Sequence, residues 1–150
     1  MIKYIIASKE NMDLLMIIRL EMLRVVNGLA SDYKFCDDFI EKSREYFEHG
    51  DQTTVLAIDG KVIGCATMCY MEMMPTFSHP TGKRAHLMNV YTNMEYRRQG
   101  IACKMINMLI AEAKERGVTE ISLDATPSGR PLYQKFGFVD SEECMVLNLK

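Results

Sequence analysis

Apolar residues recur along this chain with two periods, one of about two residues and one between three and four. Residues 2–6, Ile2 to Ile6, read as a short first strand. Over 11–28 the apolar side chains Leu15, Ile18, Met22, Val25 and Val26 fall at the spacing of one helix face. Gly28 is the predicted stop. A second helix is predicted over 38–48, with Phe39, Ile40 and Phe47 on one face, Asp37 as its cap and Gly50-Asp51 breaking it. Two β-prone runs, 53–58 and Lys61 to about Met73, flank Asp59-Gly60, a dipeptide suited to a tight hairpin turn. A breaker-rich loop covers 75–84, and a strand follows over 86–92.

The strongest helical pattern comes next, from about 100 to 116. Ile101, Met105, Leu109 and Ala113 line one side, and Gly117 is the predicted C-terminal cap. A strand over 118–124 leads to a short helix over 129–136, set between Ser128 as cap and Gly137 as terminator. Strands over 138–139 and 144–149 close the chain. The order is β-α-α-β-β-β-α-β-α-β-β, which predicts an α/β chain, a mixed α+β sheet with helices on its faces.

Composition narrows the picture. The chain has 150 residues, 48% of them hydrophobic and 25% charged. That is the usage of one globular domain over 1–150, able to bury its own core without staples. The net charge of −2 argues against a general nucleic-acid partner. No apolar run approaches the roughly 18 residues of a membrane span, and Met1-Ile2-Lys3-Tyr4 lacks the charged-then-apolar order of a signal peptide. Cysteines stand at 36, 65, 69, 103 and 144, an odd set without Cys-x-x-Cys, which points to a reducing, cytoplasmic setting. His49, His79 and His86 are scattered, so no metal site is expected. The 13 methionines suit flexible core filling or a pliable pocket wall.

The chemistry concentrates between residues 89 and 104. A strand ends, a polar turn carries Arg97 and Arg98 to Gly100, and an amphipathic helix starts at once. A helix start offers unpaired N–H groups and the positive end of a macrodipole. Gly100 and Ala102 leave room for close approach, and Arg97, Arg98 and Lys104 add positive charge. These features suit a pyrophosphate. A plain loop-to-helix junction with solvated arginines fits the same residues. Neither G-x-x-x-x-G-K-[ST] nor G-x-G-x-x-G is present.

Arg97-Arg98-Gln99-Gly100-Ile101-Ala102 resembles the [Q/R]-x-x-G-x-[G/A] signature of the GNAT superfamily of N-acetyltransferases. A second signature follows as Leu132-Tyr133-Gln134-Lys135-Phe136-Gly137-Phe138. The element order is also similar to that family, whose fold is a mostly antiparallel twisted sheet with helices on both faces. The resemblance implies an enzyme that passes the acetyl group of acetyl-CoA to a primary amine of a small molecule or peptide. It places the pyrophosphate on main-chain N–H groups from Arg98 to Cys103, in the Arg97, Arg98, Gln99, Gly100, Ile101, Ala102 and Cys103 stretch. It lays the pantetheine arm along Asn89, Val90 and Tyr91, where the sheet splays, and puts the Val90 N–H against the thioester carbonyl.

The same resemblance makes Tyr133 the general acid for the leaving thiolate; otherwise Tyr133 is a packed aromatic. An attacking amine must first lose a proton, and Glu72, among methionines near a strand end, is the candidate base. Glu72 pointing simply to solvent is the other reading, and Glu21 is a rival base. Cys103, in the first turn of the helix, fits a buried small side chain better than an acetyl-cysteine route. Where the family often carries Asn, this chain reads Asp124-Ala125-Thr126-Pro127-Ser128. Thr126 or Ser128 then takes over the pantetheine contact. The acids Glu21, Asp32, Asp37, Asp38 and Glu72 beside Met, Phe and Tyr favour a cationic amine with an apolar body as acceptor. A non-catalytic acyl-CoA-binding sensor or an interaction domain on the same fold is the alternative. Strand edges at the C-terminus offer a route to a homodimer.

Overall fold

The computed structural model describes residues 1–150. Five strands, β1 (Lys3–Ile6), β2 (Gln52–Asp59), β3 (Lys61–Glu72), β4 (Lys83–Thr92) and β5 (Glu120–Ser122), lie side by side in chain order in one sheet. The first four are antiparallel, and β5 runs parallel to β4. The helices are α1 (Met12–Val26), α2 (Asp37–His49), α3 (Ile101–Glu115) and α4 (Arg130–Lys135).

Side-chain alternation along the strands builds a core on each face. On one side Val55, Ala57, Ile63, Ala66, Met68, Ala85 and Leu87 meet Ile101, Met105, Ile106, Leu109 and Ala113 of α3. On the other, Leu56, Val62, Cys65 and Tyr91 meet Leu15, Ile18 and Met22 of α1. The centre of β3 is covered on both faces, so Val62 to Met68 are buried without a break. A strand in that position reads as a continuous apolar run. Helix α2 buries no residue fully, and Phe47 is its contact with the α1-side core.

The predicted turn chemistry holds at two glycines. The β2–β3 hairpin turns at Gly60, with φ 71°. Helix α3 ends with Gly117 at φ 80°, its N–H bonded to Lys114 O and that of Val118 to Ala113 O. That pair of bonds is the Schellman closure that a left-handed residue permits.

Several boundaries differ from expectation. β4 begins at Lys83 rather than 86, because Lys83 to Ala85 pair with β3 and Arg84 to His86 with β5. Pairing on two sides overrides the breaker composition there. Helix α2 starts at Asp37 itself, behind Cys36, with no side-chain cap. Asp37 then lies in the first turn, where its charge meets the helix dipole. Ahead of α4, Thr126 Oγ1 rather than Ser128 accepts from the Gly129 N–H at 3.2 Å. β5 has three residues, not the seven of 118–124, since only β4 lies beside it.

The largest correction is at the C-terminus. No strands form over 138–139 or 144–149. A strand needs a second backbone alongside to bond, and no backbone hydrogen bond involves residues 139–150. Val139, Met145, Val146, Leu147 and Leu149 are between 79% and 94% exposed. Arg130 and Asp140 form the ion pair that ties this segment to α4.

Candidate functional site

β4 and β5 separate into a fork. Their pairing runs from Arg84–Glu120 to His86–Ser122 and stops there. From Leu87 onward the β5 side of β4 is therefore an open edge. Three residues past the fork β4 carries a bulge. Cys65 pairs with Tyr91 and Thr67 with Met88, so Ala66 alone faces the two residues Asn89 and Val90. Asn89 takes the extra turn with φ 57°. A buried non-glycine residue in the left-handed region is strained, and such strain gathers at functional sites.

Past β4, the chain is braced before it reaches α3. Asn93 Oδ1 accepts from the Glu95 N–H at 3.0 Å, Tyr96 donates to Asp59 Oδ2 at 2.9 Å, and Arg97 Nε donates to Thr92 O at 3.1 Å. Arg98 (φ 66°) and Gly100 (φ 77°) are both left-handed. The first intrahelical bond of α3 runs from Lys104 N to Gly100 O. The N–H groups of Ile101, Ala102 and Cys103 thus have no backbone acceptor, no side chain caps them, and the first turn holds no acid. Arg97, Arg98, Gln99 and Gly100 are exposed, whereas Ile101 is buried against the α3 core. A Cβ on Gly100 would meet no atom within 4 Å, so the space before the helix is open. The arrangement can hold an anion. Cys103 is half-buried in the same turn.

Tyr133 lies on α4 and packs against the α3-side core, as does Val90. Its ring makes an edge contact with Phe138, centroids 6.1 Å apart. Its hydroxyl makes no hydrogen bond, and burial pushes its pKa above the ordinary phenol value. The Thr126 hydroxyl, engaged with Gly129 N–H, also lies 3.3 Å from Ser128 Oγ, so it serves the turn before α4.

The α1 face of the fork holds a polar chain that sequence reading missed. Arg19 Nη1 donates to Asn89 Oδ1 at 3.1 Å, and Asn89 Nδ2 donates to Thr67 Oγ1 at 3.1 Å. Thr67 in turn shares a 2.7 Å hydrogen bond with Thr54. Nearby, Asn93 Nδ2 donates to Glu21 Oε2 at 3.2 Å. Burial, together with Glu21 beside it, pushes the Tyr91 phenol up to about 12. The signal that could have found Arg19 is its place on the apolar stripe of α1, between Ile18 and Met22.

Glu72 is not brought to this group. It is exposed and pairs with Lys83 at the closed end of the fork. Val90 lies seven residues further along β4, which is roughly 20 Å at the rise of a strand.

The chain is similar to known proteins. Residues 20–138 match the acetyltransferase (GNAT) family. Human N-acetyltransferase 8 is 30% identical over 111 residues, 71% of this chain and 47% of that protein. Glucosamine 6-phosphate N-acetyltransferase of Trypanosoma brucei brucei is 27% identical over 90 residues, 60% of this chain and 59% of that one. The chain therefore spans about half the length of these relatives. A predicted acetyltransferase from Clostridium acetobutylicum, crystallised with acetyl-CoA, superposes with a TM-score of 0.85 at 30% identity, covering 99% of this chain and 96% of that one.

Proposed function

The chain belongs to the GNAT family of acetyltransferases, and from that premise we propose that it transfers the acetyl group of acetyl-CoA to a primary amine of a small molecule or peptide. The observation that carries this reading is the start of α3, three uncapped N–H groups behind two left-handed residues, set beside the open edge of β4. Main-chain N–H groups from Arg98 to Cys103 hold the pyrophosphate, with Arg97, Arg98 and Lys104 around it. Asn89 to Tyr91 pair with the pantetheine arm, and Thr126 borders it. The Val90 N–H meets the thioester oxygen as charge develops there. Tyr133, kept protonated by burial, gives its proton to the departing thiolate.

Glu21 is the group we assign to take the proton from the amine, directly or through water, because it lies beside Tyr91 and Asn93 on the α1 face. Glu21→Gln is expected to lower the rate about a hundredfold at neutral pH. The loss shrinks as pH rises toward the amine pKa of about 10.4, where the amine deprotonates unaided. CoA release measured across that range checks it, and a loss independent of pH removes Glu21 from the role.

Calorimetric titration with acetyl-CoA, with ATP and NAD as controls, tests the cofactor site, and CoA release with a panel of amines tests transfer. Selective binding followed by turnover supports the proposal. Binding without turnover on any amine makes the chain an acyl-CoA-binding module instead.

A reducing, cytoplasmic setting is supported by five free thiols, with Cys36 and Cys144 exposed. No helix is long and apolar enough to cross a membrane. A homodimer is supported by two features that match one another, the free edge of β5 and the unpaired apolar segment 144–149. Light scattering is expected to give a dimer, and Met145→Asp with Leu147→Asp a monomer; a monomeric unsubstituted chain rejects this.

A further inference from the structure

Arg19 is a cation on the inner side of α1 without an acidic partner. It is half-buried, on a helix whose neighbouring residues Ile18 and Met22 are core. Its one hydrogen bond goes to the neutral amide of Asn89. No carboxylate lies within ion-pair distance of it among the ion pairs of the chain. Burial lowers its pKa from the usual guanidinium value. Withdrawing a charge from water is costly unless an opposite charge faces it, and a guanidinium presents five donors in a planar fork.

Holding Asn89 does not require this charge. Asn89 is already bonded to Thr67 through its own amide, and Cys65 Sγ donates to its carbonyl at 3.1 Å. The acids nearby are committed or remote. Glu21 accepts from Asn93, and Asp32, Asp37 and Asp38 are exposed. The position is what gives the charge a use. Asn89 directly precedes Val90, the residue assigned to the thioester. Met88, on the same α1 face, is 41% exposed, so the face opens to solvent beside Arg19.

We infer that Arg19 is a specificity determinant for the acceptor, and that the acceptor is an amine carrying an anionic group, carboxylate or phosphate, within a few bonds of its nitrogen. Arg19 takes that group through paired N–H donors, as guanidinium takes planar oxyanions, and thereby sets the nitrogen against the open edge of β4. This replaces the apolar cationic amine expected from the acidic residues. The inference rests on the acetyltransferase reading above.

Two matched pairs of amines separate the outcomes: leucine against leucinamide, and ethanolamine phosphate against ethanolamine. Each is titrated calorimetrically into the full chain saturated with CoA, which needs no turnover. The anionic member of at least one pair is expected to bind about tenfold or more tightly than its neutral partner. Which pair discriminates tells carboxylate from phosphate. Arg19→Gln is expected to erase that difference, and Arg19→Lys to restore part of it, with acetyl-CoA affinity unchanged in both. Equal or undetectable affinity for both members of both pairs overturns the inference, even if Arg19→Gln fails to fold. So does an equal loss for charged and neutral amines in Arg19→Gln, which would make Arg19 a positioning residue for Asn89. Acetyl-CoA titrated into the same samples reports separately on the acetyltransferase reading.

Discussion

Tyr133→Phe is expected to lower kcat by about ten- to ten-thousand-fold, the span of general acid catalysis, with acetyl-CoA affinity nearly unchanged. The substitution removes one oxygen that makes no hydrogen bond within the chain. The ring keeps its edge contact with Phe138 and its place against the α3-side core. Stability should therefore change by less than about 0.5 kcal/mol. A departing thiolate with an ordinary pKa near 8.5 gains from a nearby donor. Because burial raises the Tyr133 pKa, the phenol stays protonated at and above neutral pH, and its donor role is lost only in alkali. Saturation kinetics of CoA release, with calorimetry of acetyl-CoA on the same preparation, checks both halves. An unchanged kcat would leave Tyr133 a packing residue.

Gly100→Glu is expected to abolish acetyl-CoA binding. Two effects act together. At φ 77° any side chain is strained, at a cost of about 1–2 kcal/mol. The new carboxylate also stands before the uncapped N–H groups of Ile101, Ala102 and Cys103, where it competes for them and repels a pyrophosphate. The same attraction to the helix start offsets part of the strain, so the fold survives. Gly100→Ala separates the terms, since it carries the strain without the charge and should weaken binding only in part. Calorimetry reads both variants. Retained affinity in Gly100→Glu would place the pyrophosphate elsewhere on the surface.

Much of this was legible in the chain because the signals are local. The spacing of Ile101, Met105, Leu109 and Ala113 gave α3, and Gly117 gave its end. The arginines before Gly100 marked the turn into α3, whose uncapped N–H groups depend on backbone rather than on distant partners. The failures are non-local. Glu72 is a candidate base by its place among methionines near a strand end, but where β3 ends relative to the fork depends on its pairing with Lys83. Arg19 carries no signal in the sequence beyond its place beside the apolar stripe of α1, and only the tertiary contact with Asn89 gives it meaning. The bulge that turns Asn89 inward leaves no mark in the hydrophobic pattern. The C-terminal run 144–149 has strand composition and no strand, because composition does not supply a neighbour.

The extra residue in β4 also governs which length changes this chain can accept. Before the bulge the even-numbered side chains His86 and Met88 point toward α1; after it, the odd-numbered Tyr91 does. The strand thus changes phase at Asn89. Removing one residue between Thr67's partner Met88 and Cys65's partner Tyr91 would restore plain alternation, with Val90 still toward α3 opposite Ala66 and Tyr91 still toward α1 opposite Cys65. Everything downstream, including the start of α3, would keep its facing; what would be lost is the left-handed turn at Asn89 and the side chain that Arg19 holds. The 74–78 stretch between β3 and β4 is exposed, and it accepts longer changes ahead of the point where His79 and Thr81 bond to Thr119 and Gly117. A relative one residue shorter between Met88 and Tyr91 should keep the same sheet faces and the same helix start while lacking an inward-turned residue at Asn89, so the bulge acts as a removable insert in an otherwise fixed strand.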